Sequence, residues 1–190
     1  MKKLLLHSCC GPCSTQVIDF LKNDFDITIF YYNPNMDTNE EYCHRLSEQK
    51  RYCQIVGVKV IDGEYDHGKF LAAIKGLEQE LEGGARCPVC FRLRLQETAE
   101  MAKKLGFDCF GTTLTVSPHK NAKQINQIGQ AISDAMGIEF LPGDYKKQDG
   151  YKKSIIFSKQ YNLYRQNYCG CEFSKLQSES FRNKKSTNNN

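Results

Sequence analysis

Short apolar runs alternate with longer segments of mixed polarity along most of the chain. Five of these runs are short, rich in leucine, β-branched or aromatic residues, and bounded by polar or turn-forming residues. This pattern is typical of buried strands. The predicted strands are, in chain order, Lys3–His7, Asp26–Tyr32, Val58–Ile61, Cys109–Thr113 and Ile138–Leu141.

The segments between these strands carry helix signals. Thr38 precedes two acidic residues, as at many helix N-termini, and Gly57 and Gly106 mark helix ends. The predicted helices cover Ser14–Lys22, the segment after Thr38 up to Val56, Lys69–Leu81, Phe91–Leu105 and Lys123–Met136. Strands that alternate with such helices form βαβ units, so the predicted fold class is α/β, with a mostly parallel sheet flanked by helices.

The length and composition indicate one compact domain. With 190 residues, 40 % hydrophobic and 25 % charged, the chain resembles a soluble globular protein. We expect a single α/β domain over residues 1–174, including a helical C-terminal segment, and a polar, disordered tail over residues 175–190. The apolar run Leu4–Leu6 is too short for a signal peptide or a membrane span, so the sequence predicts a cytoplasmic protein with no membrane partner.

The chain has ten cysteines, and three of them lie in the sequence HSCCGPC at residues 7–13. This turn follows the first predicted strand, and ligand sites of parallel sheets lie at the carboxyl ends of the strands. In an intracellular chain of this size, clustered cysteines indicate metal binding or redox catalysis. Cys10 and Cys13 alone match a thioredoxin-like thiol oxidoreductase, but that interpretation leaves Cys9 unexplained.

A second pair, Cys87 and Cys90, forms a CxxC motif before a predicted helix. With Cys9 and Cys10 it supplies four thiolates, which suit either tetrahedral zinc or an iron–sulfur cluster. Adjacent cysteines point apart along an extended chain and hold a larger object more naturally than a single ion, which favours the cluster. The isolated cysteines are expected to be ordinary small hydrophobic residues: Cys43, Cys53 and Cys109.

Near the C-terminus, Cys169 and Cys171 form a CxC motif. Such a pair either binds a metal or closes a strained disulfide, and strained disulfides are the labile, catalytic ones. The residues alone leave both alternatives open.

The segment Asp144–Cys171 holds five tyrosines and six Lys or Arg residues against two Asp. Basic side chains that meet phosphates and tyrosines that stack on bases would suit RNA. The alternative is an amphipathic helix over Lys153–Leu163 with a solvated basic face. His7 and His119 are candidate acid–base groups, although a single histidine is more often structural.

Four motifs, in chain order, resemble one known family. They are HSCCGPC at residues 7–13, RCPVCFRLRL at 86–95, TTLTVSPHKN at 112–121, and GY followed by YRQNYCGC between residues 150 and 171. Together they resemble the cobalamin-independent epoxyqueuosine reductases known as QueH, over Leu4–Ser174. The resemblance implies an oxidoreductase that deoxygenates epoxyqueuosine to queuosine in tRNA, the last step of queuosine biosynthesis, with an electron donor that the sequence does not identify.

The resemblance also implies roles for particular residues. Cys9, Cys10, Cys87 and Cys90 would hold a 4Fe–4S cluster, and Cys169 and Cys171 would form a redox-active disulfide. A second, mononuclear iron would lie beside the cluster, with Cys13 as a candidate ligand. The implied fold is the three-layer, HUP-like architecture, in which cysteines here replace the usual phosphate-binding turn, so we expect no ATP chemistry. A non-catalytic, zinc-stabilised RNA-binding module is the alternative of a different class.

Overall fold

The computed structural model describes residues 1–187, without the side chains of residues 181 and 183–187. Five parallel strands form one sheet: β1 (Lys2–His7), β2 (Phe25–Tyr31), β3 (Lys59–Asp62), β4 (Cys109–Thr112) and β5 (Glu139–Phe140). The α-helices are α1 (Gly11–Leu21), α2 (Asn39–Val56), α3 (His67–Ala73), α4 (Arg86–Lys104), α5 (Ala122–Met136), α6 (Gly150–Gln160) and α7 (Glu172–Thr187). A 3-10 turn, Leu114–Val116, follows β4.

The sheet separates two apolar cores. In β1, Leu5 faces a core that includes residues of α4 and α5, whereas Leu4 and Leu6 face residues of α1 and α2 on the other side. This division follows from the two-residue period of a strand, which sends successive side chains to opposite faces. The predicted α/β class, with three layers, is confirmed.

The strand order is β3-β2-β1-β4-β5. The chain therefore moves outward from β1 in one direction and then returns to place β4 on its other side. In open parallel sheets, ligands bind beyond the carboxyl ends of the strands where the order reverses in this way. Residues that follow β1 and β4 are accordingly the ones placed to build a site.

Several elements differ from their predicted bounds, and three of them lie close to the cysteine segments or the basic segment. α4 begins at Arg86 rather than Phe91, because Pro88 is tolerated in the first turn of a helix. α3 is shorter than predicted: it begins after Asp66, whose carboxylate accepts a hydrogen bond from the Lys69 N–H, and its C-cap is Ile74. The helix predicted over Lys153–Leu163 is observed earlier, as α6.

The C-terminal segment, for which a disordered tail over residues 175–190 is predicted, contains α7. This helix extends to Thr187, residues 188–190 lie outside the described residues, and the disorder of the tail stays a prediction. The start of α7 is fixed by tertiary contacts: Ser174 donates a hydrogen bond to Glu82, and Lys175 pairs with Asp37 at 2.8 Å. The domain boundary at residue 174 stays a prediction.

Candidate functional site

The cysteine turn connects β1 to α1. Cys10 is the N-cap of α1, with an extended backbone, and Pro12 follows in the first turn of the helix. The sulfur atoms of Cys9, Cys10 and Cys13 all lie within 4.8 Å of one another. Among the described residues, they are the one group of three or more potential metal ligands this close together.

Buried polar side chains hold this turn in place. The Ser8 hydroxyl lies 2.6 Å from the Ser14 hydroxyl and donates to Gln49 Oε1 at 2.6 Å. Gln49 belongs to α2, so the turn is tied to the neighbouring helix as well as to its own strand. This network fixes the backbone of the turn from which the three thiols project.

The three thiols differ in pKa. The Cys9 and Cys10 sulfurs lie 3.8 Å apart, and hydrogen bonding with Cys10 and Cys13 lowers the pKa of Cys9 well below its usual value. The interactions with Cys10 and Cys9, together with burial, raise the pKa of Cys13 well above its usual value. Cys9 is therefore the first of the three to become a thiolate, the form that binds metals.

The second cysteine pair lies in the first turns of α4. The Gly83 N–H donates to the Cys87 sulfur at 3.2 Å, while burial raises the pKa of that thiol. Cys90 is buried, and burial raises its pKa to about 11 despite the nearby guanidinium of Arg94. The structure thus places this pair at the buried start of a helix, outside the close group around Cys9.

The third cysteine pair lies in the loop before α7. Gly170 has a φ of 128°, and a Cβ there would approach Met36 Sδ to 2.7 Å, so glycine is required between Cys169 and Cys171. The Asp37 N–H donates to the Gly170 carbonyl at 2.9 Å. Cys169 and Cys171 are free thiols in this structure, and burial raises the pKa of Cys171 to about 12.

An ion pair and a buried arginine anchor this loop. Tyr168 donates its hydroxyl hydrogen to Asp37 at 2.8 Å, and Asp37 also pairs with Lys175. Arg45, on α2, lies 4.9 Å from the centre of the Tyr168 ring and donates to the Cys169 carbonyl at 3.4 Å. The loop is thereby held against the start of α2.

Cys169 connects the cysteine groups. It lines a cavity of about 530 Å³ together with Cys9 and Cys13. It also lines a small apolar pocket with Cys87, Cys90 and Cys171. Cysteines from three distant chain segments thus converge on adjoining spaces at the carboxyl ends of β1 and β4.

Two cations accompany these thiols, and the sequence reasoning assigned neither a role. Lys120 lines the cavity; burial lowers its pKa, but the sulfurs of Cys169, Cys9 and Cys13 raise it, and the net effect is a raised pKa. Arg94 is buried beside Cys90. The signal for Arg94 was its position four residues after Cys90, which places both on one face of a helix.

The two candidate histidines differ in position. His7 is fully buried, with Nδ1 2.9 Å from Thr112 Oγ1 and Nε2 3.1 Å from the Tyr32 carbonyl oxygen. Burial lowers its pKa to about 3, so it is a neutral structural residue. His119 is exposed and lines the cavity.

The basic segment is partly neutralised. Lys146 and Lys147 both lie near Asp144, at 3.5 and 3.6 Å, and Lys152 pairs with Asp149 at 2.9 Å. This arrangement favours the interpretation of a solvated surface for those lysines. Arg165, by contrast, lines the cavity together with the aromatic ring of Tyr151.

Comparison with known proteins identifies the family of this chain. A family model described as "Epoxyqueuosine reductase QueH" matches residues 4–177. The chain belongs to the QueH family. A relative of that name from Staphylococcus epidermidis is 42 % identical over 182 residues, which are 92 % of this chain and 76 % of the relative. Another, from Thermotoga maritima, is 35 % identical over 180 residues, or 93 % and 92 % of the two chains.

Membership of the QueH family confirms the resemblance of the four motifs and the prediction of an oxidoreductase. The fold is also similar to a solved structure described as a predicted subunit of tRNA methyltransferase from Methanocaldococcus jannaschii. The TM-score is 0.57 at 12 % identity, with 84 % of this chain and 75 % of that chain covered, so this likeness concerns the fold alone. Within the described residues, no helix is both long and apolar enough to cross a membrane.

Proposed function

We propose that this protein removes the epoxide oxygen from epoxyqueuosine in tRNA to give queuosine, the last step of queuosine biosynthesis. The observation that supports this most directly is the convergence of six cysteines, from three chain segments, on adjoining spaces in a member of the QueH family. A site built from thiols at the switch point of a parallel sheet suits electron transfer to a bound substrate.

The reaction defines what the site must supply. Conversion of an epoxide to an alkene breaks two C–O bonds, forms one C=C bond, consumes two electrons and two protons, and releases water. The electrons come ultimately from a reductant outside this chain. The chain itself must bind the substrate, deliver the electrons and stabilise the oxygen as it leaves.

The donor set fits an iron–sulfur cofactor. The close group around Cys9 contains sulfur donors alone, and thiolates are the ligands of such clusters. Cys9 and Cys10, at the end of β1, and Cys87 and Cys90, at the start of α4, would hold a 4Fe–4S cluster, which supplies single electrons when bound. Cys13 remains available as a ligand of a second, mononuclear iron.

Cys169 and Cys171 form the second redox unit. Oxidation of two thiols to a disulfide releases two electrons and two protons, which is the amount that one deoxygenation consumes. The glycine between them, whose φ of 128° a side chain would strain, and the position of Cys169 on the cavity wall suit closure and reopening of the disulfide. A reductant would then restore the dithiol after each turnover.

Lys120 is positioned to stabilise the leaving oxygen. Lys120 lies on the cavity wall. No carboxylate within residues 1–187 forms an ion pair with it. A fixed cation beside a developing negative charge contributes to catalysis in a water-poor site. The rings of Tyr151 and Tyr168 and the guanidinium of Arg165, on the same wall, would bind the substrate base and the nearby tRNA backbone.

The test is a deoxygenation assay on the anaerobically purified protein. The substrate is tRNA isolated from cells blocked at the final step, with a chemical reductant, and the product nucleoside is analysed by mass spectrometry. We expect loss of one oxygen atom from epoxyqueuosine. A colourless, zinc-containing protein that binds tRNA without converting it would instead support the RNA-binding module, and general disulfide reductase activity without conversion would support the thioredoxin-like alternative.

A further inference from the structure

Arg94 is a buried residue whose side chain connects the cysteine segments of the site. It is 1 % exposed and lies on α4, one helical turn after Cys90, with Nη1 3.9 Å from the Cys90 sulfur. Nη2 donates to Asn33 Oδ1 at 2.6 Å, and Asn33 in turn donates to the Ser8 carbonyl at 2.9 Å. A single side chain thus connects α4 to the end of β2 and, through Asn33, to the cysteine turn.

The charge of Arg94 is balanced differently from that of the other buried arginines. Arg45 pairs with Glu41 at 2.6 Å, and Arg86 donates to the carbonyls of Leu77, Glu78 and Glu80. Neither Arg86 nor Arg94 has a carboxylate partner within the described residues, but Arg94 also lacks a partner for Nε, and its oxygen acceptor is Asn33 Oδ1. Burying a charge without an opposite charge costs several kcal/mol, so this arrangement requires a compensating anion.

The groups that face Arg94 identify that anion. The Cys90 sulfur lies 3.9 Å from Nη1, and Cys90 shares a pocket with Cys87, Cys169 and Cys171. Two other cations adjoin these thiols: Arg86 lines the same pocket, and Lys120 lies on the cavity side. Since no carboxylate among the described residues pairs with Arg94, its opposite charge is that of the thiolates and of the metal group that they would bind.

We propose that Arg94 is a positioning residue that supplies a fixed positive charge behind the cysteine site and thereby raises the reduction potential of the bound cluster. The inference rests on the proposed function, since it needs a redox group on these cysteines. Each one-electron reduction adds a negative charge to the site, and a cation in a medium of low dielectric constant stabilises the reduced form more than the oxidised form. Removal of the cation must make reduction harder.

The test is a redox titration of the anaerobically purified protein, followed by visible absorbance, with iron and sulfide measured on the same samples. We expect Arg94→Gln to shift the midpoint potential to more negative values, and Arg94→Lys, which keeps the charge, to stay close to wild type. The matched control is Thr98→Val. Thr98 lies one turn further along α4 and donates to the Arg94 carbonyl at 2.7 Å, so its loss perturbs the helix without changing charge.

A wild-type potential in fully loaded Arg94→Gln would overturn the inference, as would an equal shift in Thr98→Val. If Arg94→Gln fails to fold or to bind iron, Asn33→Asp decides, because it places a carboxylate against Nη2 and cancels the charge while Arg94 remains. We expect the same negative shift there, and an unchanged potential overturns the inference. Unshifted potentials in the cluster-loaded variants would refute only the role of Arg94. A wild-type protein without a redox-active metal group would refute the proposed function as well.

Discussion

Lys120 shows how much of the site depends on single charged residues. Its ammonium shares the cavity wall with Cys9, Cys13 and Cys169, and these sulfurs keep its pKa high despite burial. The residue is therefore a cation at working pH, and in the proposed mechanism it faces the oxygen that leaves the substrate. Its backbone is held as well, since Lys146 donates to the Lys120 carbonyl at 2.8 Å.

Replacement of Lys120 with Met is expected to lower the deoxygenation rate by about 100-fold or more, the usual effect of removing one group that stabilises an oxyanion. Iron, sulfide and tRNA affinity should stay near wild type, because Lys120 is not a ligand. The control is Lys123→Met, an exposed residue of α5, which should leave the rate unchanged. Full activity in Lys120→Met would remove the residue from the mechanism.

At the scale of elements, the site depends on where helices and loops begin. α4 starts at Arg86, so its first turns carry Cys87 and Cys90 into the interior. The CxC loop is held by Gly170, whose backbone conformation and close contact with Met36 exclude a side chain. The start of α4 and the backbone conformation of Gly170 both determine which thiols face one another.

Gly170→Ala is expected to displace Cys169 and Cys171, because the new Cβ would meet Met36 Sδ at 2.7 Å in addition to the strained φ. Multiple-turnover activity should fall steeply while the iron content is retained. Gly57→Ala is the matched control: φ is also positive, at 71°, but no atom lies within 4 Å of the new Cβ. It should cost about 1 kcal/mol of stability and leave turnover intact. Equal turnover in both variants would contradict the role given to the CxC loop.

The sequence predicted the elements more accurately than the contacts. Buried apolar strands such as β1 are evident from their composition, and the switch point follows from their order. The start of α4 was missed because Gly83 and Gly84 precede it and Pro88 lies within it, which are signals of a break. The contact of Arg94 with Asn33 joins residues far apart in the chain, and no local pattern encodes such a contact.

At the scale of the whole molecule, the fold brings together what the chain separates. The cysteine turn follows β1, the CxxC pair precedes β4, and the CxC loop comes after all five strands. With the strand order β3-β2-β1-β4-β5, these segments meet beyond the carboxyl ends of β1 and β4. The site is therefore built by the folded domain rather than by any motif alone, and the proposed redox chemistry depends on that fold.

We propose that two separate cysteine turns hold one iron–sulfur cluster, and iron and acid-labile sulfide per chain after anaerobic purification test this directly. We predict about four sulfide and about four to five iron in the wild type, the fifth iron being the mononuclear one, and loss of the cluster's iron and sulfide in Cys9→Ser and in Cys90→Ser. Cys109→Ser, a buried thiol within β4, should retain them. Full iron and sulfide in Cys90→Ser, or zinc in place of iron in the wild type, would contradict the account.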